Sequence, residues 1–236
     1  MYSDVLIIPP GKKTGCLPRK SKPGEVCPLF AERIKVIPSG EWEGLIAKGI
    51  ALRPHVHEIL DQNGVGSCAA EAANGTLMVG RSMNGQEHIT MNPWATYHFT
   101  SGGRDGGSSI DDNLIHLRDV GAIPMDLWPR SKGWRTRPDQ QLLDEVAPKY
   151  RVQEFFDIST VEEFGTALLL GMAVAWGWSG HSCFAVDLID RNTFRYANSW
   201  HESWGDHGFG TLALRSINWG YGAWAIRGVT DAGEKL

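Results

Sequence analysis

The sequence predicts an α+β fold, with a helical first half, an antiparallel β second half and a cleft between them. Three observations carry this. Ala69, Ala70, Ala72, Ala73, Thr76, Leu77 and Val79 form a helix apolar on most sides, which places it in a core. Ser109 with Asp112 three positions on, then Leu114, Ile115 and Leu117 up to Gly121, has the pattern of a capped helix with a glycine stop. From Tyr150 the pattern changes to short segments separated by tight turns. They are Tyr150 to Phe156, Met172 to Trp178, His181 to Ile189, Thr193 to Trp200, Phe209 to Leu214 and Trp224 to Val229. Such a series predicts an antiparallel, barrel-like sheet. The expected division is an N-terminal extension over 1–50, a helical lobe over 51–149 and a β lobe over 150–236.

The extension is rich in turn formers: Pro9, Pro10, Gly11, Pro18, Pro23 and Gly24. A short strand is expected over Glu32 to Ile37. A short helix is expected over Ser39 to Ala47, with Trp42 and Leu45 or Ile46 docking on the body. Leu52 to Leu60 then leads into a loop of small residues, Asp61-Gln62-Asn63-Gly64-Val65-Gly66-Ser67-Cys68. After the alanine-rich helix, Thr90 to Ser101 is a second helical stretch, and Asp139 to Val146 a further short one. Ser159-Thr160-Val161-Glu162-Glu163 is a capping signature for a helix ending at Gly171.

Composition narrows the function. The formal net charge is −4 with charges of both signs mixed, and no basic run points to nucleic acid. No stretch approaches the ~18 apolar residues of a membrane helix. The start of the chain has no basic segment before its apolar run, and prolines stop that run, so a secretory leader is not expected. The four cysteines are Cys16, Cys27, Cys68 and Cys183. A count this low suits a reducing, cytoplasmic setting; whether Cys16 and Cys27 are bridged is left open. No metal or cofactor pattern is present.

A cysteine on the first turn of a buried helix faces free backbone N–H groups and the positive end of the helix dipole. Both favour the thiolate, the reactive form. A nucleophilic cysteine also needs a base and a group that orients the base. Downstream lie Gly180-His181-Ser182-Cys183-Phe184-Ala185-Val186 and Asn198-Ser199-Trp200-His201-Glu202-Ser203-Trp204-Gly205-Asp206-His207-Gly208-Phe209. Gln62, five residues and Cys68, with Gly66-Ser67 just before the cysteine, together with these two segments in this order, resemble the papain-like cysteine peptidases. The resemblance covers roughly residues 50 to 229. It departs at Ala69, where the family usually has an aromatic residue, at Val65, where it has a disulfide cysteine, and at His201, where it has glycine.

The resemblance implies a papain-like two-lobe fold with the active site in the cleft. It implies Cys68 as nucleophile, His181 as base in a thiolate–imidazolium pair, Asn198 orienting His181, and Gln62 donating to the oxyanion. Trp200 would shield the Asn198–His181 bond, and Gly106, Gly107, Gly180 and Trp200 would line the bound peptide. Ser108, Ser109 and Ser182 would lie near the pocket for the second residue before the cut bond, an open one with side chains this small. Cys183, two residues after His181, shares its side of a strand. The implied partner is a peptide or protein substrate. Two other readings are a Cys-His amidase or acyltransferase, and a papain-fold component of a larger assembly such as a virus particle. The extension is expected as a retained arm docked through Leu29, Phe30, Ile34, Val36 and Trp42 on the back of the lobes. The competing placement is across Cys68.

Overall fold

The computed structural model describes residues 7–230, so the first residues, on which the reading of the chain start partly rests, lie outside it, as do residues 231–236. Among the described residues, six α-helices precede or interrupt the sheet: α1 Phe30–Arg33, α2 Trp42–Ile46, α3 Cys68–Met83, α4 Pro93–Thr100, α5 Ile110–Asp119 and α6 Val161–Leu169. The strands are β1 Val152–Ile158, β2 Val174–Trp178, β3 His181–Leu188, β4 Thr193–Ala197, β5 Phe209–Ala213 and β6 Ala223–Val229. All pairings are antiparallel, in the order β1-β6-β2-β3-β4-β5. The fold class is α+β as expected, but the sheet is open and not closed into a barrel. Its edges are β1 and β5, and the β1 edge is capped locally where Asp157 N–H donates to Pro28 C=O (3.0 Å).

The capping signals form as the sequence dictates. Ser109 accepts from Asp112 N–H at the start of α5, and Thr160 and Glu163 form a reciprocal box at the start of α6. The segment Glu32 to Ile37 is not a strand. Its first residues belong to α1, held where Glu32 accepts from Leu29 N–H (3.2 Å), and the rest is irregular. Ile34 and Val36 still pack on the core, which explains the strand-like alternation. Asp139 to Val146 contains a single π-helical turn, Leu142–Val146.

The back part of the extension is built into the body. Phe30, Trp42 and Leu52 are fully buried in the main core. Trp42 Nε1 donates to Ile37 C=O (2.9 Å), and a Cβ on Gly165 would lie 2.3 Å from the Trp42 ring. Leu45, by contrast, is exposed.

Helix α3 is buried nearly all round and crosses the sheet. Gly75 lets it approach β3: a Cβ there would lie 2.3 Å from the Phe184 ring. Gly75→Ala should therefore destabilise the protein by about 1–3 kcal/mol, the usual cost of overpacking, although alanine is the better helix former. An unchanged or raised denaturation midpoint would show that α3 does not need this contact.

Candidate active site

Two local features place the candidate groups. Cys68 opens α3, and its side chain is fully buried. His181 opens β3 directly after a two-residue turn, with Trp178 paired to His181 across it. Ser179 and Gly180 both have positive φ (48° and 81°), the geometry that matches the strand twist.

His181 Nε2 lies 2.7 Å from Asn198 Oδ1. The same oxygen accepts from Ser199 N–H (2.8 Å) and from the Cys183 thiol (3.6 Å), so it is an acceptor and Nε2 carries the proton. In the neutral ring Nδ1 is then the basic nitrogen, and it has no hydrogen-bond partner. Trp200 is stacked on the ring, with centroids 4.4 Å apart, and is itself fully buried. Trp204 meets Trp200 edge-on at 5.8 Å. The bond to Asn198 is therefore dry, which strengthens it.

Gln62 ties the nucleophile loop to the same strand end. Its N–H donates to Ser199 C=O (3.0 Å), and its Oε1 accepts from the Ser199 hydroxyl (2.9 Å). The Nε2 group donates to Val65 C=O (2.6 Å) and to Lys13 C=O (3.0 Å). The second partner belongs to the N-terminal arm.

The front of the arm runs through the cleft, contrary to the expected placement on the back. Lys13 C=O also accepts from Trp200 Nε1 (3.2 Å). Gly15 and Cys16 N–H both donate to Gly180 C=O (3.1 and 2.8 Å). Gly15 C=O accepts from Ser108 N–H (2.9 Å), and Ser108 C=O accepts from Leu17 N–H (3.0 Å). The arm is thus an added strand, parallel where Cys16 pairs with Ser108. Gly107, at φ 92°, allows the approach: a Cβ there would lie 2.1 Å from Gly15 C=O. Three of the four residues expected to line a peptide, Gly107, Gly180 and Trp200, touch the arm. Gly106 stands open, with nothing within 4 Å of the position a Cβ would take.

Ion pairs fasten this strand. Lys12 meets Asp61 (3.1 Å), Lys13 meets Asp105 (2.6 Å), and Arg19 holds the fully buried Asp157 with two bonds (2.6 and 3.0 Å). Asp105 also accepts from Gly66 N–H (2.8 Å) and the Tyr97 hydroxyl (3.0 Å). Burial alone would raise its pKa, but the bonds from Lys13, Gly66 and Tyr97 outweigh this and lower it. Sequence reasoning missed Asp105, and also Glu71, which is buried on the first turn of α3. Glu71 accepts from Ser67 Oγ (2.9 Å) and is paired with Arg130 (2.7 and 3.1 Å). The spacing of Glu71 from Cys68 could have flagged it; its partner is too distant in sequence to be legible.

Burial of the site acts on both of its ionisable groups. Burial pushes the Cys68 thiol up to about 12, against the lowering effect of bonds from the backbone of Ser182, Gly15 and Ala69. Burial pushes His181 down to about 4, against the bond to Asn198. Burial thus works against the expected thiolate–imidazolium pair, and no hydrogen bond joins Nδ1 to the sulfur. Charging both groups would cost solvation that the covered cleft does not supply.

Stability should depend on pH as a result. The ring stays neutral in the folded chain down to about pH 4, whereas it protonates near 6.5 when unfolded. Its contribution to stability is full above about 6.5 and is lost as pH falls through 4. The melting temperature should therefore fall between these limits, and His181→Ala should flatten that slope. An identical slope in the variant would show that the ring is already hydrated.

The departures from the motif have local explanations. Val65 packs with Ala70, Tyr97 and Trp134, and Ala69 is fully buried beside the nucleophile. His201 has φ 73°, a left-handed position where glycine is the unstrained choice. All four cysteines are free, so Cys16 and Cys27 are not bridged. Among the described residues, no helix is long and apolar enough to cross a membrane.

No family model and no curated protein matches the chain. Solved structures do. Xylellain, a cysteine protease from Xylella fastidiosa, aligns over 96% of this chain and 99% of its own at 19% identity, with a TM-score of 0.68. A digestive procathepsin L2 from the Tenebrio molitor larval midgut aligns over 93% and 78% at 11% identity, TM-score 0.67. The ragweed pollen cysteine protease Amb a 11, in its proform, aligns over 89% and 71% at 16% identity, TM-score 0.66. With nearly the whole chain superposed on such structures, this protein has the papain-like fold that these cysteine proteases share.

Proposed function

We propose that this chain is a cysteine peptidase made in a self-blocked form, its own arm occupying the substrate cleft. The observation that carries this reading is the arm itself. A polypeptide lies over Cys68 as an added strand, held by main-chain bonds to Ser108 and Gly180, with a carbonyl on the Gln62 amide. A cleft that holds one peptide backbone in this way has the groups to hold another.

In the reaction, His181 Nδ1 takes the Cys68 proton and the sulfur attacks the substrate carbonyl. Gln62 Nε2, which in the covered cleft holds the Lys13 carbonyl, and the Cys68 backbone N–H stabilise the developing oxyanion. His181 returns the proton to the departing amine, which leaves a thioester on Cys68. Water, deprotonated by the same nitrogen, then releases the acid. Asn198 keeps Nε2 protonated, so that Nδ1 remains the base throughout.

The arm escapes this chemistry because it is bound out of register. The backbone of Gly15 lies by the sulfur, with its N–H also given to Gly180 C=O (3.1 Å). The carbonyl on Gln62 is that of Lys13, two residues away.

The test is a peptidyl vinyl sulfone applied to the full chain with the arm displaced by Gly15→Val, followed by mapping of the adduct and by assay of fluorogenic peptides. The adduct is expected on Cys68, with hydrolysis. Hydrolysis that survives Cys68→Ala, or an adduct only elsewhere, would end the reading.

A further inference from the structure

The arm marks the shape of the cleft it fills. The backbone of Cys16 is clamped between Gly180 C=O and Ser108, and its side chain is turned inward, 4% exposed. The socket it enters is short. Gly177 forms one wall: a Cβ there would lie 3.3 Å from the Cys16 sulfur and 2.2 Å from Tyr221 Cβ. Tyr221 Cβ stands against the same position, and the Cys16 thiol donates to Leu17 C=O (3.6 Å). Ala69, Ala175 and Trp224 belong to the same buried cluster.

The serines expected near this pocket have their hydroxyls engaged elsewhere. Ser108 Oγ accepts from Asn113 Nδ2 (2.8 Å), and Ser109 Oγ accepts from Asp112 N–H (3.4 Å), so both are used within α5. Ser182 Oγ donates to Trp176 C=O (3.0 Å). A peptide added as a strand against Ser108 and Gly180 uses the same main-chain groups and must place one side chain where Cys16 lies.

We propose that this socket admits only a small side chain, the size of Ala, Ser or Cys, as the second residue before the cut bond. The proposal rests on the peptidase reading for the name of the position, and on the socket alone for its size. Tyr221 and Gly177 are the specificity-determining residues: both stand at the position beside the Cys16 sulfur into which a longer side chain would have to extend.

Two measurements test it. The first needs no turnover. In the full chain, Cys16→Ala should leave the arm seated, and Cys68 should take iodoacetamide as slowly as in the parent. Cys16→Phe cannot seat and should expel the arm, raising Cys68 alkylation at least about 10-fold. Unchanged labelling of Cys27 and Cys183 controls for unfolding. Cys16→Phe as protected as the parent would overturn the proposal.

The second uses Gly15→Val and vinyl sulfones with Ala or Phe at the second position. The Ala probe should label Cys68 at least about 10-fold faster, since one buried ring misplaced costs more than about 1.4 kcal/mol. Tyr221→Ala should narrow the ratio. Equal or reversed rates sink the socket. A small-residue preference in labelling with no hydrolysis of any peptide sinks the peptidase reading and leaves the socket standing. Better hydrolysis of Phe peptides does the opposite.

Discussion

Gly15→Val is expected to raise the rate at which iodoacetamide modifies Cys68 by about 10- to 100-fold, the effect of about 1–3 kcal/mol of overpacking on arm seating. A Cβ at Gly15 would lie 2.1 Å from Gly66 C=O, a backbone atom that cannot turn aside. Seating the arm would then require moving the nucleophile loop, which Asp105 and Gln62 hold in place. The substituted segment should leave the cleft while the fold survives, because Phe30, Trp42 and Leu52 anchor the extension elsewhere. Water then reaches both ionisable groups. The thiol loses most of the burial that pushed it up, and the ring most of the burial that pushed it down. Alkylation should rise with pH near neutrality in the variant, and hardly at all in the parent. Equal rates in both chains would mean that the arm gives no protection.

Cys68→Ala, placed in the Gly15→Val chain, should remove about a million-fold of peptide hydrolysis, the loss seen when a nucleophile is deleted from a comparable site. Gln62→Ala should remove only about 100- to 1,000-fold, mainly in kcat, because its donor strengthens as charge develops on the carbonyl oxygen. The two variants therefore separate bond-making from charge stabilisation. A Gln62→Ala loss confined to KM would place its amide on the ground-state substrate instead.

Much of the site is legible in the sequence because side-chain chemistry leaves identifiable residues at fixed spacing. Gln62, His181, Asn198 and Trp200 are separated by as many as 138 positions, yet hydrogen bonds and ring stacking join their segments, with Cys68 by the backbone of Ser182. The arm is not legible, for the opposite reason. Lys13, Gly15 and Leu17 bind through carbonyl and N–H groups, which every residue has, so no apolar period betrays the strand. Only Gly15 carries a hint, and a glycine has many causes. The back of the extension is readable because Phe30 and Trp42 are large and apolar and must be buried. The strand expected over Glu32 to Ile37 fails because alternating burial can be met by an irregular segment lying on a core. The barrel-like expectation fails because tight antiparallel turns do not specify closure; the coverage at β1 comes from Pro28, far away in sequence.

The blocker and its anchor share one chain. Residues 12–17 fill the cleft, Phe30 and Trp42 are fixed in the core, and the turn at 22–25 between them is exposed. The cleft therefore meets its inhibitor at an effective concentration set by a short tether, on the order of millimolar, however dilute the protein. Dilution cannot relieve it, and a second molecule must outcompete it at that concentration. One cut in the exposed turn would change the arithmetic without altering a single contact: the same strand would become a free peptide, present at the concentration of the protein, and would wash away.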